Sequence, residues 1–281
     1  MQEKRTSGLR LVDSALKARS SNAGGAPGAL ARPPSCWTGE TPVAPLPLLY
    51  SDPVLPEPSS IRSLFLAGPA GRLEALLNAG SRDATHAAVV CHPHPLYGGT
   101  LHNKVVFHAM KALNSFGFPV LRFNFRGTGL SEGEHSSGIG EVEDVRAALD
   151  WLEREFTLPV IFAGFSFGAV VGLRAAYTDD RVNALIALGL PAVAVEDRNE
   201  DRLYDFEFLR ACAKPKLFVS GSRDQFAPAG KLEALVNTFA DPKKLVRIEA
   251  GDHFFEGRLK EMRVAIEDWV RETVPSRIAG G

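Results

Sequence analysis

The sequence predicts an α/β fold, a mostly parallel sheet of about eight strands with helices on both faces. From residue 61 onward, short apolar runs alternate with helix-length amphipathic segments. The apolar runs are nearly continuous, which is typical of strands that are buried on both faces of a parallel sheet. A chain of 281 residues is long enough for one large domain of this class.

The predicted elements begin with a hairpin. Gly68-Pro69-Ala70-Gly71 separates two strand-like runs, Arg62–Ala67 and Arg72–Asn78. Six more strands are predicted, at His86–Cys91, Val120–Phe125, Val160–Gly164, Ala184–Leu188, Lys216–Ser220 and Leu245–Glu249. Helices are predicted at Asn103–Phe116, Gly140–Glu155, Gly168–Tyr177, Gly230–Phe239 and Gly257–Val274. This alternation favours a parallel sheet, with the functional loops at the carboxyl ends of its strands.

Before the hairpin the composition differs. Residues 21–58 are rich in Pro, Gly, Ala and Ser and have no sustained period, so we expect no packed core there. We predict a disordered extension over residues 1–60, one domain over residues 61–275 and a flexible tail over residues 276–281. The N-terminus lacks an apolar core followed by a small-residue cleavage site, so it does not have the pattern of a secretory signal.

Charge and cysteine content exclude several classes of function. The formal net charge is −1, and both signs are mixed along the chain, so we expect neither nucleic acid nor an anionic membrane as a partner. The most apolar stretch, Val160–Leu173, is shorter than the roughly 20 residues that a membrane span needs. Cys36, Cys91 and Cys212 have no regular spacing and suit a reducing compartment, so we expect a cytoplasmic protein. The oligomeric state stays open.

Gly164-Phe165-Ser166-Phe167-Gly168 stands between a predicted strand and a predicted helix. This is the G-x-S-x-G pattern of a sharp turn that exposes a nucleophilic serine. Side chains two residues to either side of Ser166 would collide, which explains the glycines. The helix that follows directs its free N–H groups at developing negative charge. We therefore predict Ser166 as a nucleophile.

A serine hydroxyl needs a base, and the base needs an acceptor that fixes its tautomer. His253 follows the last predicted strand, and Asp224 follows the strand Lys216–Ser220. Both positions are at carboxyl ends of strands, from which the side chains can converge on Ser166. Asp252 is the rival acid, but it adjoins His253 and is poorly placed to contact the histidine ring. We predict His253 as the base and Asp224 as the acid.

Two backbone N–H groups are predicted to bind the oxyanion. One is the N–H of Phe167, the residue after the nucleophile. The other lies in the loop His92-Pro93-His94-Pro95, where the prolines carry no N–H and leave His94 as the donor.

Two segments have features of binding sites for other groups. His92, His94 and His102 suggest a metal, but no carboxylate or cysteine with suitable spacing accompanies them. The glycine-rich segment Asn124–Gly133 lacks the G-x-G-x-x-G order and no helix begins directly after it, so we interpret it as a structural loop that borders the pocket. We predict no metal and no cofactor.

These motifs resemble the α/β-hydrolase superfamily over residues 61–274. The resemblance rests on the Ser166 motif, Gly221-Ser222-Arg223-Asp224, Gly251-Asp252-His253 and Asn124-Phe125-Arg126-Gly127. His92-Pro93-His94-Pro95 with Gly98-Gly99 and Asn103-Lys104-Val105 is similar to a compact bacterial subgroup near dienelactone hydrolases and small carboxylesterases. Serine at position 166, where dienelactone hydrolases have cysteine, favours ordinary ester hydrolysis.

The resemblance implies a serine hydrolase that acts on a small-molecule acyl substrate, a small or medium carboxylic ester. A thioesterase, an aminopeptidase-like amide hydrolase and a catalytically idle binding module stay open as alternatives. Only residues 192–213 are available for a cap, so we expect a minimal one and an open site. Phe165, Phe167, Phe226 and Phe254 flank the three catalytic candidates and either line an acyl pocket or serve packing.

Overall fold

The structure, a computed structural model, describes residues 60–193 and 204–274. The expectations for the N-terminal extension, as far as residue 59, and for the C-terminal tail lie outside the described residues, as does much of the expected cap segment.

The described residues contain an eight-stranded sheet, which confirms the predicted fold class. Its strands are β1 Ile61–Gly68, β2 Gly71–Asn78, β3 Ala87–Cys91, β4 Val120–Phe123, β5 Val160–Phe165, β6 Val182–Leu188, β7 Lys216–Gly221 and β8 Lys243–Ile248. Their spatial order is β1-β2-β4-β3-β5-β6-β7-β8. At one edge β2 pairs antiparallel with both β1 and β4, and the six strands β3 to β8 all run parallel to one another. All the loops that follow the parallel strands therefore meet at one edge of the sheet.

Within residues 60–193 and 204–274, five α-helices cover the two faces of the sheet. They are α1 Lys104–Asn114, α2 Ile139–Phe156, α3 Phe167–Ala176, α4 Ala229–Asn237 and α5 Leu259–Thr273. α1 and α5 bury their apolar sides in one core, and α2, α3 and α4 bury theirs in a second core across the sheet. Among the described residues, no helix is both long and apolar enough to cross a membrane.

One predicted strand ends early. The apolar run Val120–Phe125 predicts six strand residues, but β4 ends at Phe123. The Asn124 N–H donates to the Glu74 carbonyl at 2.8 Å, and the Phe125 N–H donates to Nε2 of His92 at 3.0 Å. Because a side chain takes the Phe125 N–H, the ladder with β3 stops and the chain turns into its loop.

β5 and α3 approach each other very closely. A Cβ atom added to Gly172 of α3 would overlap the Phe162 ring of β5, and one added to Gly164 would lie 2.5 Å from the Gly168 carbonyl oxygen. Phe162 is completely buried. The absence of side chains at these glycines therefore fixes how α3 sits on the sheet.

We expect Gly172→Ala to destabilise the protein by about 1–3 kcal/mol, because the added methyl group must displace Phe162 or α3. In an open helix position the same exchange stabilises by up to about 1 kcal/mol. Gly230→Ala in α4 is the matched control, since nothing lies within 4 Å of its added Cβ. The free energy of unfolding in urea measures both. Opposite signs for the two variants are expected, and a stabilised Gly172→Ala would contradict the close packing.

Candidate active site

Ser166 occupies the sharp turn between β5 and α3, with φ 53° and ψ −121°. A non-glycine residue at positive φ costs on the order of 1–3 kcal/mol, which the surrounding structure has to offset. The Ser166 N–H donates to the Leu188 carbonyl at 2.9 Å, and the Ser166 carbonyl accepts from the N–H of Ala169 at 2.9 Å. A Cβ at Gly168 would overlap the His92 carbonyl oxygen. These contacts hold the strained turn and direct the hydroxyl outward.

The structure brings Ser166, His253 and Asp224 into contact in series. Nε2 of His253 lies 3.0 Å from Oγ of Ser166, and Nδ1 of His253 lies 2.9 Å from Oδ2 of Asp224. The three residues follow β5, β8 and β7, each in the loop at the carboxyl end of its strand. A histidine with its proton on Nδ1 donates to Asp224 and can accept the serine proton at Nε2.

The Asp224 carboxylate is fully enclosed, and backbone donors compensate its charge. Its side chain has no exposed surface, and Oδ1 accepts the N–H groups of Phe226 at 2.9 Å and Ala227 at 3.2 Å. Asp252 faces its own loop instead, where Oδ1 accepts the N–H groups of Phe254 at 3.0 Å and Glu256 at 2.9 Å. Of the two candidate acids, Asp224 is therefore the one that contacts His253.

Three glycines allow the acid and base loops to converge. A Cβ at Gly221 would overlap the Gly251 carbonyl oxygen, so the loops after β7 and β8 touch through their backbones. Gly189 follows β6 with φ 53°, and a Cβ there would lie 3.2 Å from Cε1 of His253. Gly189 is a part of the site that was not predicted from the sequence. Its only local signal was its position directly after the apolar run Ala184–Leu188.

His94 and Phe167, the predicted oxyanion donors, lie side by side. Their ring centroids are 4.6 Å apart. His94 precedes a short 3-10 helix, Pro95–Tyr97, and its carbonyl accepts the N–H groups of Tyr97 at 3.2 Å and Gly99 at 3.0 Å. Phe167 is the first residue of α3, where a backbone N–H has no acceptor within the helix.

The four flanking phenylalanines serve packing more than they line a pocket. Phe165 and Phe167 are buried, so neither offers surface to a ligand. The rings of Phe165, Phe226 and Phe254 surround His253 at centroid distances of 5.1, 4.6 and 5.3 Å. Of these rings, only Phe254 is largely exposed, at 49%. The apolar enclosure orients the imidazole and restricts access of water to it.

His92 is a structural residue. It is fully buried, Nδ1 lies 2.7 Å from the Pro93 carbonyl, and Nε2 accepts the Phe125 N–H. Burial lowers its pKa to about 4. No three metal-binding side chains converge within residues 60–193 and 204–274. Cys91 is also buried, and burial raises the pKa of its thiol.

Asn124 and Glu74 tie the loops beside the site together, a role that the sequence analysis did not assign to them. Asn124 Oδ1 accepts the Leu101 N–H at 2.8 Å, and its Nδ2 donates to Glu74 Oε2 at 2.7 Å. Glu74 Oε2 also accepts the Leu130 N–H at 2.8 Å. The loops after β3 and β4 are thus joined to β2, in agreement with the interpretation of Asn124–Gly133 as a structural loop.

Comparison with known proteins gives matches over most of this domain. A family model for the alpha/beta hydrolase domain matches residues 87–274. An uncharacterized protein of Rickettsia prowazekii is 35% identical over 214 residues, covering 74% of this chain and 87% of that protein. A solved structure described as an alpha-beta serine hydrolase homologue from Coxiella burnetii is 36% identical, covers 74% of this chain and 97% of that chain, and has a TM-score of 0.66. A structure from Xanthomonas campestris, described as a member of a/b serine hydrolase without lid, is 34% identical and has a TM-score of 0.68. The match covers 78% of this chain and 98% of that chain.

The buried state of His92 predicts a dependence of stability on pH. The unfolded chain protonates His92 near pH 6.5, whereas the folded protein does so only near pH 4. Unfolding therefore takes up a proton between these values, and the free energy of unfolding falls as the pH drops through this window. Between pH 7 and pH 5 we expect His92 to account for about 2 kcal/mol of lost stability. Urea denaturation at both pH values should show a smaller loss for His92→Gln, and equal losses would contradict the assignment.

Proposed function

Since this chain belongs to the α/β-hydrolase family, we propose that it is a serine hydrolase that cleaves small or medium carboxylic esters through an acyl-serine intermediate. The observation that carries the proposal is the series of contacts Asp224–His253–Ser166, at 2.9 and 3.0 Å. The distances suit proton transfer from the hydroxyl to the imidazole. The enclosed Asp224 carboxylate would stabilise the imidazolium that forms.

In the proposed reaction, Oγ of Ser166 attacks the ester carbonyl carbon while Nε2 of His253 takes the hydroxyl proton. The N–H groups of Phe167 and His94 bind the oxygen that becomes negative. The tetrahedral intermediate collapses as His253 gives the proton to the departing alcohol, which leaves an acyl-serine. Water then attacks the acyl group with His253 again as base, and the acid is released with Ser166 regenerated.

The substrate class rests on the nucleophile and the short cap segment. Serine at position 166 favours ester hydrolysis over lactone opening, and residues 192–213 are too few for a separate cap domain. Every proton in this mechanism moves between Ser166, His253, the departing alcohol and water, so the reaction as proposed needs no cofactor. We also propose a cytoplasmic location, because Cys91 and Cys212 are free thiols that suit a reducing compartment.

We expect a fluorophosphonate probe to label the protein at Ser166 and Ser166→Ala to abolish the labelling. Turnover of aryl esters should fall by about 10³-fold or more in this variant, because the covalent step is lost. A panel of aryl esters, acyl thioesters and aminoacyl anilides, compared by kcat/KM, identifies the bond. Highest turnover of a thioester or an anilide would replace the ester proposal, and a folded but unlabelled wild-type protein would favour a binding module.

We expect Asp224→Asn to lower kcat by about 10³- to 10⁴-fold, because an amide cannot hold the histidine in the tautomer that accepts a proton or stabilise its charged form. Asp252→Asn is the matched control, since its side-chain oxygen can still accept the N–H groups of its own loop. We expect its kcat to stay within about threefold of the wild type, because that contact lies outside the proposed proton relay. Steady-state kinetics on an aryl ester separate the two, and comparable losses in both variants would remove Asp224 from its proposed role.

A further inference from the structure

A second carboxylate–histidine pair lies beside the proposed oxyanion donors. Nδ1 of His135 is 2.9 Å from Oε1 of Glu141, and the two side chains are 12% and 0% exposed. The His135 ring centroid lies 5.1 Å from that of His94 and 5.7 Å from that of Phe167. Neither His135 nor Glu141 has a part in the reaction described above.

Glu141 is fixed by the backbone at the start of α2. Its Oε2 accepts the N–H of Gly138, the residue before the helix, at 2.8 Å, and its Oε1 accepts the Ser136 N–H at 2.8 Å. A buried carboxylate with such donors has a fixed position. Its Oε1 lies within ion-pair distance of Nδ1 of His135, so the fixed carboxylate packs against one side of the ring.

The rings of His135, His94 and Phe167 form a triangle with sides of 5.1, 5.7 and 4.6 Å. Two of these rings belong to His94 and Phe167, the residues whose backbone N–H groups are proposed to bind the oxyanion. Hydrogen bonds within the His94 loop, from Tyr97 and Gly99, fix the shape of that loop. The ring contacts join the His94 end of that loop to His135 and to Phe167 at the start of α3.

We propose that His135, packed between Glu141 and the rings of His94 and Phe167, is a positioning residue that sets the separation of the two oxyanion donors. This inference rests on the proposed hydrolase function. Oxyanion donors act at about 2.7–3.1 Å, and a displacement of about 1 Å can cost about 10²-fold in rate. Because the oxyanion exists only along the reaction path, the loss falls on kcat and leaves KM nearly unchanged.

The test compares His135→Ala with the wild type on an aryl ester, with kcat expressed per active site titrated by a fluorophosphonate. We expect kcat to fall about 10- to 100-fold and KM to change less than about twofold. Affinity for an aryl boronic acid, which places an oxygen in the oxyanion hole as a tetrahedral adduct, should fall by the same factor as kcat. His135→Phe keeps a ring at this corner and should recover most of the rate.

His86→Ala is the matched control. His86 is a buried histidine with its ring 5.5 Å from that of Phe118, but it precedes β3 and so lies at the amino ends of the parallel strands, away from the site. Its loss should lower stability and leave kcat per titrated site unchanged, so a general packing effect is separated from positioning.

Three results would overturn the inference: an unchanged kcat per site in His135→Ala, a rise in KM alone, or a His135→Phe variant as slow as His135→Ala. Rates of fluorophosphonate labelling give the same comparison if the preferred substrate is not an ester. A wild-type protein that the probe does not label refutes the proposed function itself. A labelled wild type with an unaffected His135→Ala refutes only the positioning role.

Discussion

Strand β5 and helix α3 pack so closely that Gly164 and Gly172 have no room for a side chain, and Gly168 at the start of α3 packs equally closely against the end of β3. This contact forces the chain through a turn in which Ser166 takes a backbone conformation that serine rarely adopts. Burial of all six residues of β5 offsets the cost of that conformation. The serine hydroxyl therefore stands at a fixed point, and every other part of the site is arranged around it.

Asp224 and His253 lie close to the Ser166 hydroxyl because of the order of the strands. β6, β7 and β8 follow β5 across the sheet, so the loops that carry Asp224 and His253 are near neighbours. The backbone contact between Gly221 and Gly251 brings those loops together, and Gly189 leaves space for the imidazole beside β6. Three apolar rings then enclose the imidazole, which keeps its orientation independent of bulk water.

Buried carboxylates recur around the site, and each has donors that compensate its charge. Asp224 and Glu141 both accept two backbone N–H groups and contact a histidine. Asp144 forms a bidentate pair with Arg126 and also accepts the Arg126 N–H at 3.0 Å. An unpaired buried charge would be strongly destabilising, whereas these arrangements fix their loops in one geometry. The polar groups are thus oriented before a substrate arrives, which is what electrostatic stabilisation of a transition state requires.

The sequence by itself determined the α/β fold and the loops in which Ser166, Asp224 and His253 lie, because apolar periodicity and the G-x-S-x-G turn are local properties of the chain. It did not determine where β4 ends, since the Phe125 N–H is taken by a histidine 33 residues earlier in the chain. Only the tertiary structure decided that Phe165 and Phe167 pack inward and that Gly189 makes room for His253. It also decided that His135 packs against His94 and Phe167, the proposed oxyanion donors, and against Glu141. Such contacts join segments far apart in the chain, and the choice of partner depends on which loops meet at the edge of the sheet.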